Sequence, residues 1–157
     1  MSLELVRVDD RLIHGQVVVG WGQVINPDLF VVVDDEVAQN EWEQEIYRMG
    51  VLATQEVEFT SVSDAAESVE RWANSSCRTI VLVSDIDSLT RLCEAAPTIR
   101  RVNLGGVHHE RDRRLHLPYL FLDDREVDQL RALAERGLEI SAQDLPTAAR
   151  VTLEDLL

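Results

Sequence analysis

The sequence predicts an α/β fold, with an open, mainly parallel β-sheet of about six to seven strands and helices on both faces. Two observations predict it: short apolar, β-branched segments recur along the chain, and stretches with helical spacing separate them. Such alternation with short connections is typical of parallel strands joined by right-handed crossovers. The 157 residues, 45% of them hydrophobic, can bury a proper core, so we expect residues 1–157 to form a single domain.

The elements follow from these patterns in chain order. The strand segments are residues 3–8, 28–35, 56–62, 79–84 and 100–106, with weaker ones at 115–122 and 138–142. Several helical segments open on Asp or Ser, residue types that cap helix N-termini; the segments are residues 15–25, 38–49, 63–73, 84–96 and 123–136. Residues 146–157 are expected to form a closing turn and a short helix. Trp21 and Trp42 lie at helical positions and are interpreted as core anchors.

Charge and composition exclude several classes of protein. A formal net charge of −14 repels nucleic acid and anionic lipid, so neither is expected as a partner. No apolar segment approaches the roughly 20 residues of a membrane span, and the N-terminus does not resemble a signal peptide. We therefore expect a cytoplasmic protein with no direct membrane insertion. Cys77 and Cys93 are isolated and are expected to be ordinary reduced thiols.

Positive charge is concentrated in one short segment. The chain contains no Lys, and five of its fifteen Arg residues lie between Arg100 and Arg114. This segment is either a solvated loop with incidental charges or a docking rim for an acidic partner.

The loop after the first strand is the strongest candidate site. Ligands and chemistry gather beyond the carboxyl ends of the strands in an open parallel sheet. At that position the loop carries two carboxylates, an Arg and a His within six residues, at Asp9, Asp10, Arg11 and His14. The residues expected at the same edge, as a possible pocket or partner rim, are Asp9, Asp34, Asp35, Ser84, Gly105, Gly106, His108 and His109.

The residue types of this loop suit phosphoryl transfer. A neutral imidazole, such as His14 at cellular pH, has a free lone pair with which to attack phosphorus. Arg11 can donate two parallel hydrogen bonds to a phosphate, and the backbone N–H groups near Gly15 and Gln16 would face an anion. Asp10, or its neighbour Asp9, could orient Arg11 or fix one imidazole nitrogen. We predict His14, Arg11 and Asp10 as catalytic and Arg11, Gly15 and Gln16 as phosphate-binding.

An alternative reading of the same loop needs no chemistry. His14 could cap a helix while the charged residues form surface ion pairs, each worth about 0–1 kcal/mol. Asp34 and Asp35 could hydrogen-bond the first loop, although capping the following helix is the more ordinary role for an Asp at a strand end.

The run VDDRLIHGQV at residues 8–17, followed by Gly20 and Trp21, resembles the motif of the mannose/fructose/sorbose-family IIB components of the sugar phosphotransferase system. The resemblance continues along nearly the whole chain, with VVVDDEVA at 31–38, SVSDAA at 61–66, VNLGG at 102–106, FLDDREVDQL at 121–130 and QDLP at 143–146.

This resemblance implies that His14 accepts a phosphoryl group from a IIA protein or domain and passes it to a sugar presented by the membrane subunits IIC and IID. It implies no cofactor, since phosphohistidine is itself the energetic donor, and a location in the cytoplasm, at the inner face of the plasma membrane through IIC and IID. The chain departs from the family at Val19 and Val107, and in the basic, His-rich stretch 108–116.

Two other functions remain open at this point. A regulatory phospho-acceptor would use the same His14 chemistry with a signalling partner, which the unusual stretch 108–116 motivates. A nucleotide- or metabolite-binding module would rest only on the sheet and its glycines. His108, His109 and His116 could in principle bind a metal, but adjacent histidines on an extended segment point to opposite sides, so we expect no metal site and place them at the border of the phosphate pocket.

Overall fold

The structure, a computed structural model, describes residues 2–157. Its centre is a seven-stranded sheet in which six strands are parallel and the edge strand β9 is antiparallel. The spatial order is β3-β2-β4-β1-β5-β8-β9, and β6 and β7 form a separate hairpin. The strands are β1 (Leu3–Val8), β2 (Leu29–Val33), β3 (Glu56–Thr60), β4 (Thr79–Val83), β5 (Arg101–Leu104), β6 (Arg114–Leu117), β7 (Leu120–Leu122), β8 (Glu139–Ala142) and β9 (Val151–Thr152).

Helices connect the parallel strands. A π-helical segment (Gln16–Trp21) leads into the first α-helix, and a 3₁₀ turn (Val37–Gln39) precedes the second. The α-helices are α1 (Gly22–Ile25), α2 (Glu41–Arg48), α3 (Val62–Asn74), α4 (Ile86–Ala95), α5 (Asp124–Glu135) and α6 (Leu153–Leu156). Side chains of Ser61, Asp85 and Asp123 cap α3, α4 and α5, which satisfies backbone N–H groups that have no partner within the helix.

Two hydrophobic layers enclose the sheet. Val6 and Val8 of β1 pack with α3, α4 and α5 on one face, whereas Phe30 and Val32 of β2 pack with the loop after β1 and the segment after α2 on the other. Crossovers that move towards β3 run over the second face, and those that move towards β8 run over the first. Crossovers between parallel strands are right-handed, so the direction in which a crossover moves along the sheet decides which face it covers. The predicted α/β class, with a mainly parallel sheet and helices on both faces, is confirmed.

The structure differs from the sequence-based assignment at the weaker segments. Residues 115–122, expected to form a strand, form the β6–β7 hairpin apart from the main sheet. The seventh strand is instead the two-residue β9, which pairs with β8 just before the expected terminal helix. Short pairings of this kind carry little local signal, because two residues cannot establish a period.

Three aromatic and thiol assignments can be compared with the structure. Trp21 is buried, as expected of a core anchor. The same expectation for Trp42 is wrong, since that side chain is 75% exposed on α2. Cys77 is exposed and Cys93 is buried, and both are free thiols; burial raises the pKa of Cys93 to about 12.

The topology creates a crevice at the carboxyl ends of β1 and β5. The chain leaves β1 towards β2 and leaves the adjacent β5 towards β8, so the two loops diverge across the sheet. Ligand sites in open α/β sheets form at such reversals. Within residues 2–157, no helix is long and apolar enough to cross a bilayer.

Candidate phosphoryl-transfer site

The loop after β1 turns sharply back on itself. Leu12 N–H donates to the carbonyl of Asp9 at 2.9 Å, and Leu12 adopts a φ of 56°, in the left-handed region that L side chains rarely occupy. Such a conformation costs about 1–3 kcal/mol and persists where packing enforces it. Leu12 is 2% exposed in the hydrophobic cluster of the second face, which supplies that packing. The turn brings both Arg11 and His14 back to Asp9.

The carboxylate of Asp9 is the centre of the site and is fully buried. Its Oδ2 lies 3.0 Å from Nε2 of His14 and accepts a hydrogen bond from the guanidinium of Arg7 at 3.3 Å. Its Oδ1 accepts from the backbone N–H of Arg11 at 3.2 Å and lies 3.5 Å from Nε of Arg11. One carboxylate therefore contacts three neighbouring residues, Arg7, Arg11 and His14, that donate hydrogen bonds or can carry positive charge.

These contacts decide the ionisation of Asp9. Burial alone raises the pKa of this carboxyl, but His14, the charge of Arg7 and the Arg11 amide together outweigh burial and hold the pKa below its ordinary value. Asp9 is therefore an anion at neutral pH, despite its burial.

Arg7, the second-last residue of β1, contacts Asp9 on the side away from Arg11 and is itself fully buried. Its guanidinium donates to the side-chain oxygen of Asn103 and to the carbonyls of Gln143 and Asp144, at 2.8 Å and 3.1 Å for the two carbonyls. It also stacks over the ring of Trp21, 5.1 Å from the centroid. Burial lowers the pKa of Arg7 and Asp9 opposes that shift, and an Arg remains protonated in proteins. The site thus contains a buried Arg7–Asp9 ion pair, and the other hydrogen-bond partners of Arg7 come from β5 and from the loop after β8.

Paired glycines make room for this ion pair. A Cβ at Gly105 would lie 2.3 Å from the Arg7 guanidinium, so only glycine is compatible with the observed side-chain position. A Cβ at Gly106 would lie 3.5 Å from Arg11 and 3.6 Å from Asp9, which is ordinary contact. Gly105 is therefore required for Arg7, and Gly106 forms a wall beside Arg11.

The imidazole of His14 is held at one nitrogen and open at the other. Nε2 is buried against Asp9; the separation is short, but the ring is not aligned for a hydrogen bond, so the contact is chiefly electrostatic. Among residues 2–157, Nδ1 has no hydrogen-bond partner and retains contact with solvent. A proton on Nε2 facing a carboxylate leaves the lone pair on Nδ1. The His14 side chain caps no helix, because the π-helical segment starts after Gly15 without a side-chain cap.

The groups expected to bind phosphate lie around His14. Arg11 is 41% exposed and donates to the side-chain oxygen of Gln16 at 2.9 Å. The carbonyl of His14 accepts from Val17 and Val18, whereas the N–H groups of Gly15 and Gln16 have no partner within residues 2–157. A Cβ at Gly15 would meet nothing within 4 Å, so the space beside it is open. These donors and this space are suited to an anion.

Asp10 has a different partner from the one expected. The imidazole of His14 is contacted by Asp9, while Oδ2 of Asp10 receives the backbone N–H of His108 at 2.7 Å and lies 2.6 Å from Nδ1 of the same residue. The backbone of Asp10 also donates to Gly106 at 2.9 Å. Asp10 therefore ties the first loop to the loop after β5, and of the two aspartates it is Asp9 that contacts the imidazole of His14.

The other predicted rim residues divide into two groups. Ser84 follows β4 and His109 follows His108, which places both at the carboxyl edge; His109 stacks edge-on against Phe121. Asp34 accepts from the N–H groups of Glu36 and Val37, and Asp35 accepts from Val62 N–H and pairs with Arg91. Neither aspartate hydrogen-bonds the first loop, so capping is the role observed for Asp34.

The three histidines of the basic stretch diverge. His108 bonds to Asp10, His109 packs on Phe121, and Nδ1 of His116 lies 3.3 Å from the carbonyl of Leu156. Across residues 2–157, no group of three or more His, Cys, Asp or Glu side chains is arranged to hold a metal.

Sequence reasoning missed the second layer of the site. Asn103, Gln143 and Asp144 position Arg7, and Asp144 also accepts from the indole N–H of Trp21 at 3.0 Å. A charged residue between the apolar Val6 and Val8, at the end of the strand next to the candidate loop, was the available signal for Arg7. Nothing local marked the distant carbonyls.

The fold and the site together define an α/β phosphotransfer protein. The family model described as PTS system sorbose subfamily IIB component matches residues 3–157. The chain is 27% identical over 149 residues to the PTS system fructose-specific EIIB component of Bacillus subtilis, covering 95% of this chain and 91% of that protein. It is also 27% identical to the PTS system mannose-specific EIIAB component of Escherichia coli, covering 100% of this chain and 49% of that protein.

A solved structure shows the same fold. The chain is similar to the crystal structure of the PTS system N-acetylgalactosamine-specific IIB component 1 from Escherichia coli, with a TM-score of 0.87 and 26% identity. The matched region covers 94% of this chain and 97% of that chain. The chain therefore belongs to the sorbose subfamily of IIB components. It is a IIB component of a sugar phosphotransferase system of the mannose/sorbose class, the component that accepts the phosphoryl group from IIA.

Replacing Asp9 by Asn tests the ion pair. The substitution leaves Arg7 as a buried cation without its carboxylate, so we expect the free energy of unfolding at pH 7 to fall by about 3 kcal/mol, near the low end for breaking a buried pair. The pKa of Asp9 in the folded state lies below its ordinary value of 3.8, so its contribution is complete above pH 3.8 and is lost as pH falls through the lowered value. The difference in the free energy of unfolding between wild type and variant, measured by urea unfolding, should therefore become smaller below pH 3.8.

The neighbouring substitution Asp10→Asn is the matched control. Asp10 does not contact Arg7, and an amide oxygen can still accept from His108, so the expected loss is about 1 kcal/mol or less. Equal losses for the two variants at pH 7 would contradict the central place of Asp9.

Proposed function

We propose that His14 accepts the phosphoryl group from a phosphohistidine on IIA and transfers it to the sugar carried by IIC and IID. The observation that carries the proposal is the pairing of His14 Nε2 with the buried Asp9 carboxylate, which leaves Nδ1 of a side chain that is 15% exposed without a hydrogen-bond partner among residues 2–157. An exposed lone pair on an oriented imidazole is what a phosphoryl acceptor requires.

The transfer can be written with His14 as nucleophile. The Nδ1 lone pair attacks phosphorus, the N–P bond of the donor histidine breaks, and its electron pair returns to the donor imidazole. The phosphorylated ring of His14 then bears positive charge shared with Nε2–H, 3.0 Å from Asp9 Oδ2. A fixed anion at that position stabilises charge that develops during the reaction. In the second step a sugar hydroxyl attacks phosphorus, its proton passes to a base, and the electron pair of the N–P bond returns to His14.

Arg11 and the free amides act on the phosphoryl oxygens. The catalytic demand of phosphoryl transfer is mainly in-line positioning and stabilisation of the equatorial oxygens. The Arg11 guanidinium contacts the side chains of Gln16 and Asp9 and remains partly exposed, so its other N–H groups can reach a phosphate on His14. The N–H groups of Gly15 and Gln16 complete the set of donors.

The proposal implies that the chain works in the cytoplasm and meets IIC and IID at the inner face of the plasma membrane. Phosphohistidine is the energy source, so the step uses neither a nucleotide nor a metal. The mannose-specific EIIAB relative is one protein whose name combines a IIA with a IIB component, and it supports a IIA partner for this chain.

The His14→Ala variant tests the phosphoryl acceptor. Wild type incubated with the general phosphotransfer proteins, a cognate IIA and labelled phosphoenolpyruvate should acquire acid-labile label, and His14→Ala should acquire none. His109→Ala, which changes an exposed histidine of the same edge, should be labelled like wild type. Label on His14→Ala would refute the assignment. Passage of label to a hexose in vesicles containing IIC and IID distinguishes transport from a purely regulatory acceptor.

The Arg11→Gln variant tests the phosphate ligand. Removal of one charge-stabilising donor typically lowers a rate by about 10²-fold, and we expect that loss in the rate of His14 phosphorylation with the final stoichiometry unchanged. Arg114→Gln is the matched control, because Arg114 is 77% exposed and, within residues 2–157, forms an ion pair only with Asp124, at 3.7 Å. A wild-type rate for Arg11→Gln, measured by quenched flow, would exclude Arg11 from the reaction.

A further inference from the structure

The two flanks of the His14 loop carry opposite charge. Between residues 34 and 48, which run from the end of β2 through α2, the chain has six Asp and Glu residues and one Arg, Arg48. On the other side of the crevice, the loop after β5 begins the stretch that contains Arg111, Arg113 and Arg114. A partner that reaches His14 from the α2 side therefore meets an acidic surface.

That acidic surface contains an exposed apolar stripe, called here the α2 stripe: Trp42, Ile46 and Met49. Its members are 75%, 52% and 82% exposed. They follow the i, i+4, i+7 spacing of one helix face. Helix α2 has no buried residue at all, so the stripe is not the edge of the core. Exposed Trp, Met and Ile in one continuous row are typical of a protein-docking surface.

The stripe adjoins the reactive loop. Gly50 directly follows Met49, and a Cβ at Gly50 would lie 3.3 Å from Cγ2 of Ile13, the residue before His14. Helix α2 also follows β2, which ends at the same edge of the sheet as β1. A partner seated on the stripe would therefore stand beside the phosphoryl group.

The rim of the stripe defines the charge of that partner. Glu41 and Glu45 lie along one side of the helix face and Glu43 along the other. Arg48 is paired with Glu45 at 3.2 Å, which leaves the rim net negative. The complementary surface is apolar with a basic margin.

We propose that the α2 stripe is the docking surface for the cytoplasmic loops of the sugar-translocating membrane subunits; this inference rests on the proposed function. Short cytoplasmic loops of membrane proteins are enriched in Lys and Arg, which matches the acidic rim. A second copy of this chain would bring Glu41, Glu43 and Glu45 against like charges, and anionic lipid is repelled in the same way.

The experiment separates the two transfer steps. The double variant Trp42→Glu/Met49→Glu and the rim variant Glu43→Lys/Glu45→Lys are phosphorylated by phospho-IIA, then mixed with inverted membrane vesicles that carry IIC and IID, and the phosphorylated sugar is measured. We expect both variants to be phosphorylated at the wild-type rate. For sugar phosphorylation by the vesicles, the KM for the phosphorylated protein should rise about tenfold or more, with kcat unchanged at saturation.

Val24→Glu is the matched control, since Val24 is 67% exposed but lies on α1, just before β2 starts at the opposite end of the sheet. It should leave KM unchanged. An unchanged KM in both stripe variants would overturn the proposal. Slower phosphorylation by phospho-IIA, with an unchanged KM for the vesicles, would also overturn it and would assign the stripe to IIA. A wild-type dimer that becomes monomeric in the Trp42→Glu/Met49→Glu variant, without a change in KM, would assign the stripe to a second copy.

Failure of the proposed function gives a different result. If phospho-IIA does not phosphorylate wild type, the His14 assignment falls, whereas docking is still measured by co-sedimentation of unphosphorylated protein with the same vesicles. Wild type and Val24→Glu should co-sediment and the two stripe variants should remain in the supernatant. Co-sedimentation of all four proteins would overturn the docking surface independently.

Discussion

The candidate site depends on one buried carboxylate, that of Asp9. An isolated anion in a protein interior is costly, and here Arg7, His14 and the Arg11 amide offset the cost. Because Arg7 is equally buried, moving either charge would leave the other unpaired in an apolar environment. The pair therefore fixes the position of His14 Nε2, and with it the direction of Nδ1.

The surrounding structure serves to hold this pair. Gly105 leaves space for the guanidinium, Asn103 and the carbonyls of Gln143 and Asp144 accept its hydrogen bonds, and Trp21 covers it. These groups come from β5, from the loop after β8 and from the π-helical segment, so three separate parts of the chain meet behind one histidine. Such a layer makes the geometry of the imidazole a property of the whole sheet edge and not of a single loop.

The sequence predicts the sheet and the reactive loop, because both leave local patterns. Buried parallel strands such as β2 and β4 read as continuous β-branched runs, and the charge density around His14 exceeds that of an ordinary turn. The roles of Asp9 and Asp10 could not be separated locally, since the left-handed turn at Leu12 decides which carboxylate faces His14. Trp42 was misread because helical spacing identifies a face but not what packs against it. Arg7 was missed because its acceptors Asn103 and Gln143 are distant in sequence.

The contacts of Asp9 also distinguish the two ring nitrogens of His14. Asp9 occupies the Nε2 side, and Arg11 with the free amides of Gly15 and Gln16 lies ready to receive an anion. The most direct test is long-range ¹H–¹⁵N NMR of the phosphorylated protein, which distinguishes a phosphoryl group on Nδ1 from one on Nε2. We expect a single phosphohistidine at His14, with phosphorus on Nδ1 and a proton on Nε2. Phosphorus on Nε2 of His14 would contradict it, because that nitrogen could then not be the one held by Asp9.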